Sequence, residues 1–252
     1  MNFNEMQPNE LLLSSHLNEY KNNIEAVWWQ LVRLNSNIFI LEKAEAFRFD
    51  LFGNYSRTFW ELLKQSLFET SVMVVWRVAV DSHSDGLTLQ KLKKQIFQNL
   101  KNDDFKSEFR RLLIEIDFEK IIKNFKPAIQ EIRHNYVAHF NLVKHVQPTP
   151  KQIEERTVRF SELKKIRDAL NSLFDLLSFG HRMAVLPHDY LYPPGIKSTD
   201  IEKLLDSVAR DSGVLNVPEN DPYTWSLRRE EFKKADLEII NKYRVQFGLP
   251  EA

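Results

Sequence analysis

Residues 161–185, SELKKIRDALNSLFDLLSFGHRMAV, set Leu163, Ile166, Leu170, Leu173, Phe174 and Leu177 at intervals of three and four. That spacing matches the 3.6-residue turn of an α-helix and puts all six side chains on one face, which must then meet another apolar surface. Ser161 is suited to the N-cap, since a hydroxyl there accepts from a backbone N–H two or three residues on. The stretch therefore reads as a helix from Ser161 to about Val185 that closes a helical bundle.

The same period recurs upstream. Phe118, Ile121, Ile122 and Phe125 keep it from Asp117 to Pro127. Proline has no N–H for the helical ladder and is comfortable as the first residue of a new helix. A separate helix is thus expected from near Pro127 to about Phe140, stopped before Gln147-Pro148-Thr149-Pro150. Asp103 or Asp104 can start the preceding helix, and Thr88 can cap a short one from Leu89 to about Leu100. Asp81 to Gly86 is a loop of turn formers.

Further back, Tyr55 to Val80 reads as a long central helix with Phe59, Leu62, Leu63, Leu67, Thr70, Met73 and Val74 inward, entered through a turn at Gly53-Asn54. A periodic piece over about Asn37 to Phe52 precedes it. The first helix runs from Pro8 to about Asn35, with Leu13, Leu17, Tyr20, Ile24, Val27, Trp28 and Leu31 in register. The tryptophans Trp28, Trp29, Trp60 and Trp76 read as core residues. Beyond Pro187 come a Pro-rich connector (188–195), a helix near Ser198 to Ser212, a second connector with Pro218 and Pro222, and a helix near Leu227 to Gln246. The fold class is all-α: a bundle of long antiparallel helices over residues 1–186, then a Pro-rich connector and helical C-terminal appendage over 187–252.

Composition agrees, because 6 Gly are too few for a turn-rich β-fold of 252 residues. With no Cys, disulfide scaffolds, thiolate metal sites and thiol nucleophiles are excluded. The opening MNFNEMQPNE lacks the basic and apolar regions of a secretory signal, and Arg77 interrupts the most apolar run, Val72 to Val80, so the expected location is the cytoplasm with no membrane contact. Lys plus Arg and Asp plus Glu number 35 each, so no global field draws the chain to nucleic acid and any such contact must be local. A local excess lies over residues 88–133, with 11 basic against 7 acidic side chains; a solvated helix face explains it equally well. His181, His188 and Asp189 lack metal-helix spacing, and glycine-rich phosphate loops and nucleophile elbows are absent, so neither metal nor cofactor is expected.

The chemistry-bearing segment is Glu131-Ile132-Arg133-His134-Asn135-Tyr136-Val137-Ala138-His139-Phe140-Asn141. An Arg–His pair at this kind of gap arises about once by chance in such a chain. Three occur: Arg77 with His83, Arg182 with His188, and Arg133 with His139. Val78 and Met183 follow the first two arginines and their histidines fall in expected loops, whereas Arg133 is followed by a polar residue on a helix. At about 100° per residue, Arg133 and His139 flank the apolar stripe of Ile129 and Ile132, about 120° apart, while His134 points away from the packed side. A charge and an imidazole at the margin of an apolar face need partners, which a cleft or a dimer interface would supply. Catalysis, non-catalytic binding of RNA or a nucleotide, and a structural polar contact between helices all suit the pair.

Together with the run Trp76-Arg77-Val78-Ala79-Val80-Asp81 and its following Leu87-Thr88-Leu89, this motif resembles the AbiU-type abortive-infection branch of the HEPN superfamily, over roughly residues 10–186. His134 stands where Asn or Asp is usual, and Phe140-Asn141 follows His139 where an Asp is common. The resemblance implies a HEPN-like helical bundle and a metal-independent endoribonuclease of a phage-defence or toxin–antitoxin system, with a composite site at a homodimer interface. RNA would be its substrate, and an antitoxin or nucleotidyltransferase a partner. In that reading Arg133 and His139 are catalytic and Asn135 orients the imidazole or the phosphate. His134 and Tyr136 contact substrate. The alternative is an inactive HEPN-like module that binds RNA, a nucleotide or a protein.

Overall fold

The computed structural model describes residues 3, 6–52, 57–81, 83, 86–133, 158–180, 199–210, 212, 215 and 234–249. Among these the chain is all-α, without a strand. The helices are α1 (Pro8–Leu11), α2 (Leu17–Ala46), α3 (Phe49–Phe52), α4 (Arg57–Val75) with a π turn at Trp76–Val80, α5 (Leu89–Asn99), α6 (Asp103–Ile116), α7 (Phe118–Ile132), α8 (Phe160–Leu177), α9 (Asp200–Arg210) and α10 (Lys234–Gln246). They form two compact units. One comprises Met1–Phe39 and Ser66–Leu191, the other Ile40–Gln65 and Tyr192–Ala252.

In the first unit the six-residue stripe on α8 is buried throughout, with Ile166, Leu170, Leu173, Phe174 and Leu177 fully sealed. It packs against α5, α6 and α7. The α8 N-cap is Arg159, not Ser161: its N–H donates to the Glu162 carboxylate at 2.7 Å. The helix also stops at Leu177, short of the expected Val185, because Phe179 and Gly180 turn left-handed at φ 54° and 72°. Tyr20 closes that end by donating its hydroxyl to the Leu177 carbonyl at 3.1 Å, satisfying one of the acceptors a helix end leaves open. Burial pushes the Tyr20 phenol up. Phe179 joins Phe3, Phe105, Phe109 and Tyr20 in an aromatic cluster, with ring centroids 5.7 to 6.2 Å apart.

One expected break is absent. Asn35-Ser36-Asn37 does not end a helix, and α2 runs unbroken through it. Asn35 is buried and exchanges two amide hydrogen bonds with Asn171 of α8, at 3.0 and 3.3 Å, so a residue that otherwise favours turns is satisfied inside the core. Tyr20 near Leu177 and Asn35 near Asn171 show that α2 and α8 run antiparallel. From Val27 to Ile38 most of α2 is buried, with Trp29 and Arg33 left exposed, and it shares this unit's core with Val72 to Val80. On α4 the inward expectation holds for Val74 and fails for Phe59 and Leu62, which are 59% and 62% exposed. Trp28 and Trp60 are buried as expected, Trp76 is partly buried against the core, and Trp29 is exposed. The start of the chain crosses instead of continuing as one helix: Leu13 N–H donates to the Asn99 carbonyl and Lys101 N–H to that of Leu11.

The second unit gathers Phe47, Phe49, Phe52 and Trp60 with Leu205, Ala209, Leu215 and Ile240. Thr199 caps α9 with a reciprocal bond to Glu202, and Lys43 pairs with the same carboxylate. Arg48 pairs with Asp236 at 3.0 Å. The expected turn at Gly53-Asn54, the connectors at 147–150, 188–195, 218 and 222, and the start of the last helix near Leu227 lie outside the described residues.

Leu170→Ala should cost about 2–5 kcal/mol in chemical denaturation, whereas Ile114→Ala, at a position 78% exposed, should stay within about 0.5 kcal/mol. Equal effects would contradict the assigned core. Lys43 and the Thr199 N–H hold the Glu202 carboxyl down at about 2. Its contribution to stability is therefore complete above the ordinary carboxylate range and is lost as the pH falls through that range toward the folded value. Glu202→Gln should flatten the acid limb of the stability–pH curve, measured by urea midpoints; an unchanged limb would refute the pairing.

Candidate functional site

The site is built on α7. Asp117, in the left-handed conformation at φ 49°, is the single residue that separates α6 from α7. Phe118, Ile122, Ile129 and Ile132 then bury one stripe of α7 in the first unit's core. Pro127 lies inside this helix and does not begin a new one, which corrects the expectation of a motif helix starting there. The residue is exposed, as is Lys123 one turn earlier, so the Lys123 carbonyl deprived of an N–H partner is on the side that water can reach. Arg133 therefore stands at the C-terminal cap of a helix that begins at Phe118.

Arg133 continues the helical backbone at φ −58° and ψ −48°, its N–H donating to the Ile129 and Gln130 carbonyls. Its side chain is partly buried, next to the buried Ile132, in keeping with its expected place at the stripe's margin. The guanidinium carbon lies 5.2 Å from the centroid of the Trp76 ring. Trp76 opens the π turn, whose closing bond runs from the Asp81 N–H to the Trp76 carbonyl at 2.8 Å. α7 packs against this turn. Single π turns are concentrated at functional sites because the extra residue re-aims the side chains around it.

Beyond the π turn, Asp81 accepts from the His83 N–H at 3.0 Å, Lys91 donates to the Gly86 and His83 carbonyls, and Thr88 caps α5 by accepting from Lys91 N–H. The capping by Thr88 is as expected, and His83 is exposed. The structure thus brings Arg133 against the beginning of the Trp76–Leu89 run. His134, Asn135, Tyr136 and His139 lie outside the described residues. The contact between Trp76 and Arg133 has no signature in the sequence: a tryptophan that packs against the core gives no sign of it, and nothing in local periodicity links two residues that far apart in the chain.

Of the 11 basic side chains over 88–133, Lys93, Lys106, Arg111 and Lys120 form ion pairs with acidic residues of the same stretch: Lys93 with Glu119, Lys106 with Asp103, Arg111 with Glu108 and Glu115, and Lys120 with Asp117. Lys93 holds the Glu119 carboxyl below its usual range. A cavity of about 420 Å³ lined by Lys93, Arg110, Ile114, Phe118, Glu119 and Leu173 opens at the start of α7. Fifteen residues of helix, about 22 Å, separate that end of α7 from Arg133, so the cavity is no part of this site. Among the described residues no group of three His, Asp or Glu could hold a metal ion, and no helix is long and apolar enough to cross a membrane.

The family HEPN_AbiU2, described as AbiU2, matches residues 10–200. No curated protein and no solved structure matches the chain. The matched span takes in α2 to α8, both partners of the Trp76–Arg133 contact and the whole motif.

Replacing Pro127 with Ala restores an N–H to the ladder of α7 and should raise stability by about 1–3 kcal/mol in chemical denaturation. Loss of stability would show that the proline is required by the helix's path.

Proposed function

Because the chain belongs to the AbiU2 family of HEPN proteins, we propose that it is a metal-independent endoribonuclease of a phage-defence or toxin–antitoxin system, acting in the cytoplasm through Arg133 and His139. The observation that carries this reading is the Arg133-His134-Asn135 to His139 motif within the family match, with Arg133 at the margin of the α7 core stripe. The reaction is attack of a ribose 2′-hydroxyl on the adjacent phosphorus, with departure of the 5′-oxygen and formation of a cyclic phosphate. One His139 imidazole takes the 2′-hydroxyl proton and a second gives a proton to the leaving oxygen; an unperturbed histidine titrates near 6.5 and can do both at neutral pH. Arg133 stays charged and supplies N–H donors to the phosphate oxygens as negative charge grows.

On a continuous helix the two residues would stand about 120° apart, so a single copy would spread them. A homodimer with antiparallel copies of this helix would bring two arginines and two histidines to one RNA phosphate. Asn135 then orients the imidazole or the phosphate, and His134 and Tyr136 contact the RNA. An antitoxin or nucleotidyltransferase partner would keep such an activity in check.

Purified protein should cleave single-stranded RNA in the presence of EDTA. His139→Ala should lower the rate by about 10²–10⁴-fold with the helical circular dichroism and oligomeric state unchanged. RNA binding without turnover by the parent protein would replace this reading with the non-catalytic module. Unfolding of the variant would favour a structural role for the histidine.

A further inference from the structure

An arginine side chain has several rotatable bonds, and a guanidinium free to sample all of them meets a phosphate in a useful orientation only part of the time. In this chain the guanidinium carbon of Arg133 lies 5.2 Å from the centroid of Trp76. That is within the range of about 6 Å at which an indole face attracts a cation. The ring is itself held. Trp76 is packed against the buried core, and its backbone carbonyl is committed to the π-turn bond from Asp81 at 2.8 Å. The turn is packed on α7, the helix that carries Arg133. Two fixed elements therefore define where the ring meets the cation. The indole engages the guanidinium through its positive charge, an interaction that does not require the N–H fork needed for phosphate oxygens.

We infer that Trp76 is a positioning residue for Arg133: its indole face, set by the π turn at the end of α4, holds the guanidinium in the orientation from which it meets a phosphate. The inference rests on the nuclease reading for the identity of that phosphate as RNA. It does not make Trp76 a catalytic residue, because its action passes through Arg133.

Two readouts on the full-length protein test this. The first is the arginine Nε–H spectrum, with the Arg133 signal assigned by its loss in Arg133→Lys. That signal should be shifted by the indole ring current, retain a displacement in Trp76→Phe and lose it in Trp76→Leu. The second is RNA cleavage. Trp76→Leu should lower kcat about 2- to 30-fold with little change in KM, and Trp76→Phe should restore most of the loss, as expected for an interaction of cation–π strength used in the transition state. Trp76→Met, which fills much of the volume without a π face, replaces the leucine variant if that variant does not fold. An Arg133 signal indifferent to the loss of the ring, or wild-type cleavage by the folded leucine or methionine variant, overturns the inference. If the parent protein does not cleave RNA at all, the nuclease reading fails, and the Arg133 signal still decides whether Trp76 places the guanidinium.

Discussion

The seam between α8 and the helices α5, α6 and α7 is the constraint on which the first unit depends. Its apolar side chains are sealed from water, and their burial is the dominant favourable term available to a chain without disulfides. The seam also fixes the polar groups around it. Tyr20 closes the end of α8, and Asn35 meets Asn171 where an unpaired amide would be costly. Since α7 is held by the same seam, the position of Arg133 follows from it: the helix buries Ile129 and Ile132, and the guanidinium reaches the edge of the packed face beside Trp76.

A chain with equal numbers of acidic and basic residues has no net charge to gather RNA, and Lys93, Lys106, Arg111 and Lys120 before the motif are engaged with neighbouring carboxylates. Under the nuclease proposal, recognition of a phosphate relies on a few groups placed well rather than on many placed loosely. The proposed site has that character. Its arginine is a permanent cation next to an aromatic face, at the end of a helix whose other side is committed to the core.

The helical class was readable because the apolar period of three and four is strong in α5, α7 and α8, and the stripe on α8 was legible residue by residue. Helix ends were less so. Asn35-Ser36-Asn37 has the composition of a break, yet a partner on α8, 136 residues away in the chain, keeps α2 continuous. Pro127 has the chemistry of a helix start, yet its exposed position lets α7 pass through it. Phe59 and Leu62 fit an inward stripe on α4 but face outward, since periodicity identifies a face without saying what covers it. At the site, Arg133 was legible as a residue at the stripe's margin. Its contact with Trp76 was not, because a contact between distant segments is a product of packing, and the π turn that sets the ring has no periodic signature.

The most direct measurement is a crystal structure of the assembled protein, read at the end of α7. Arg133 and His139 from two copies should converge on one groove open to solvent, their side chains within reach of a single phosphate. Finding these residues enclosed within one protomer, or the two copies of His139 far apart beneath other helices, would contradict the nuclease proposal.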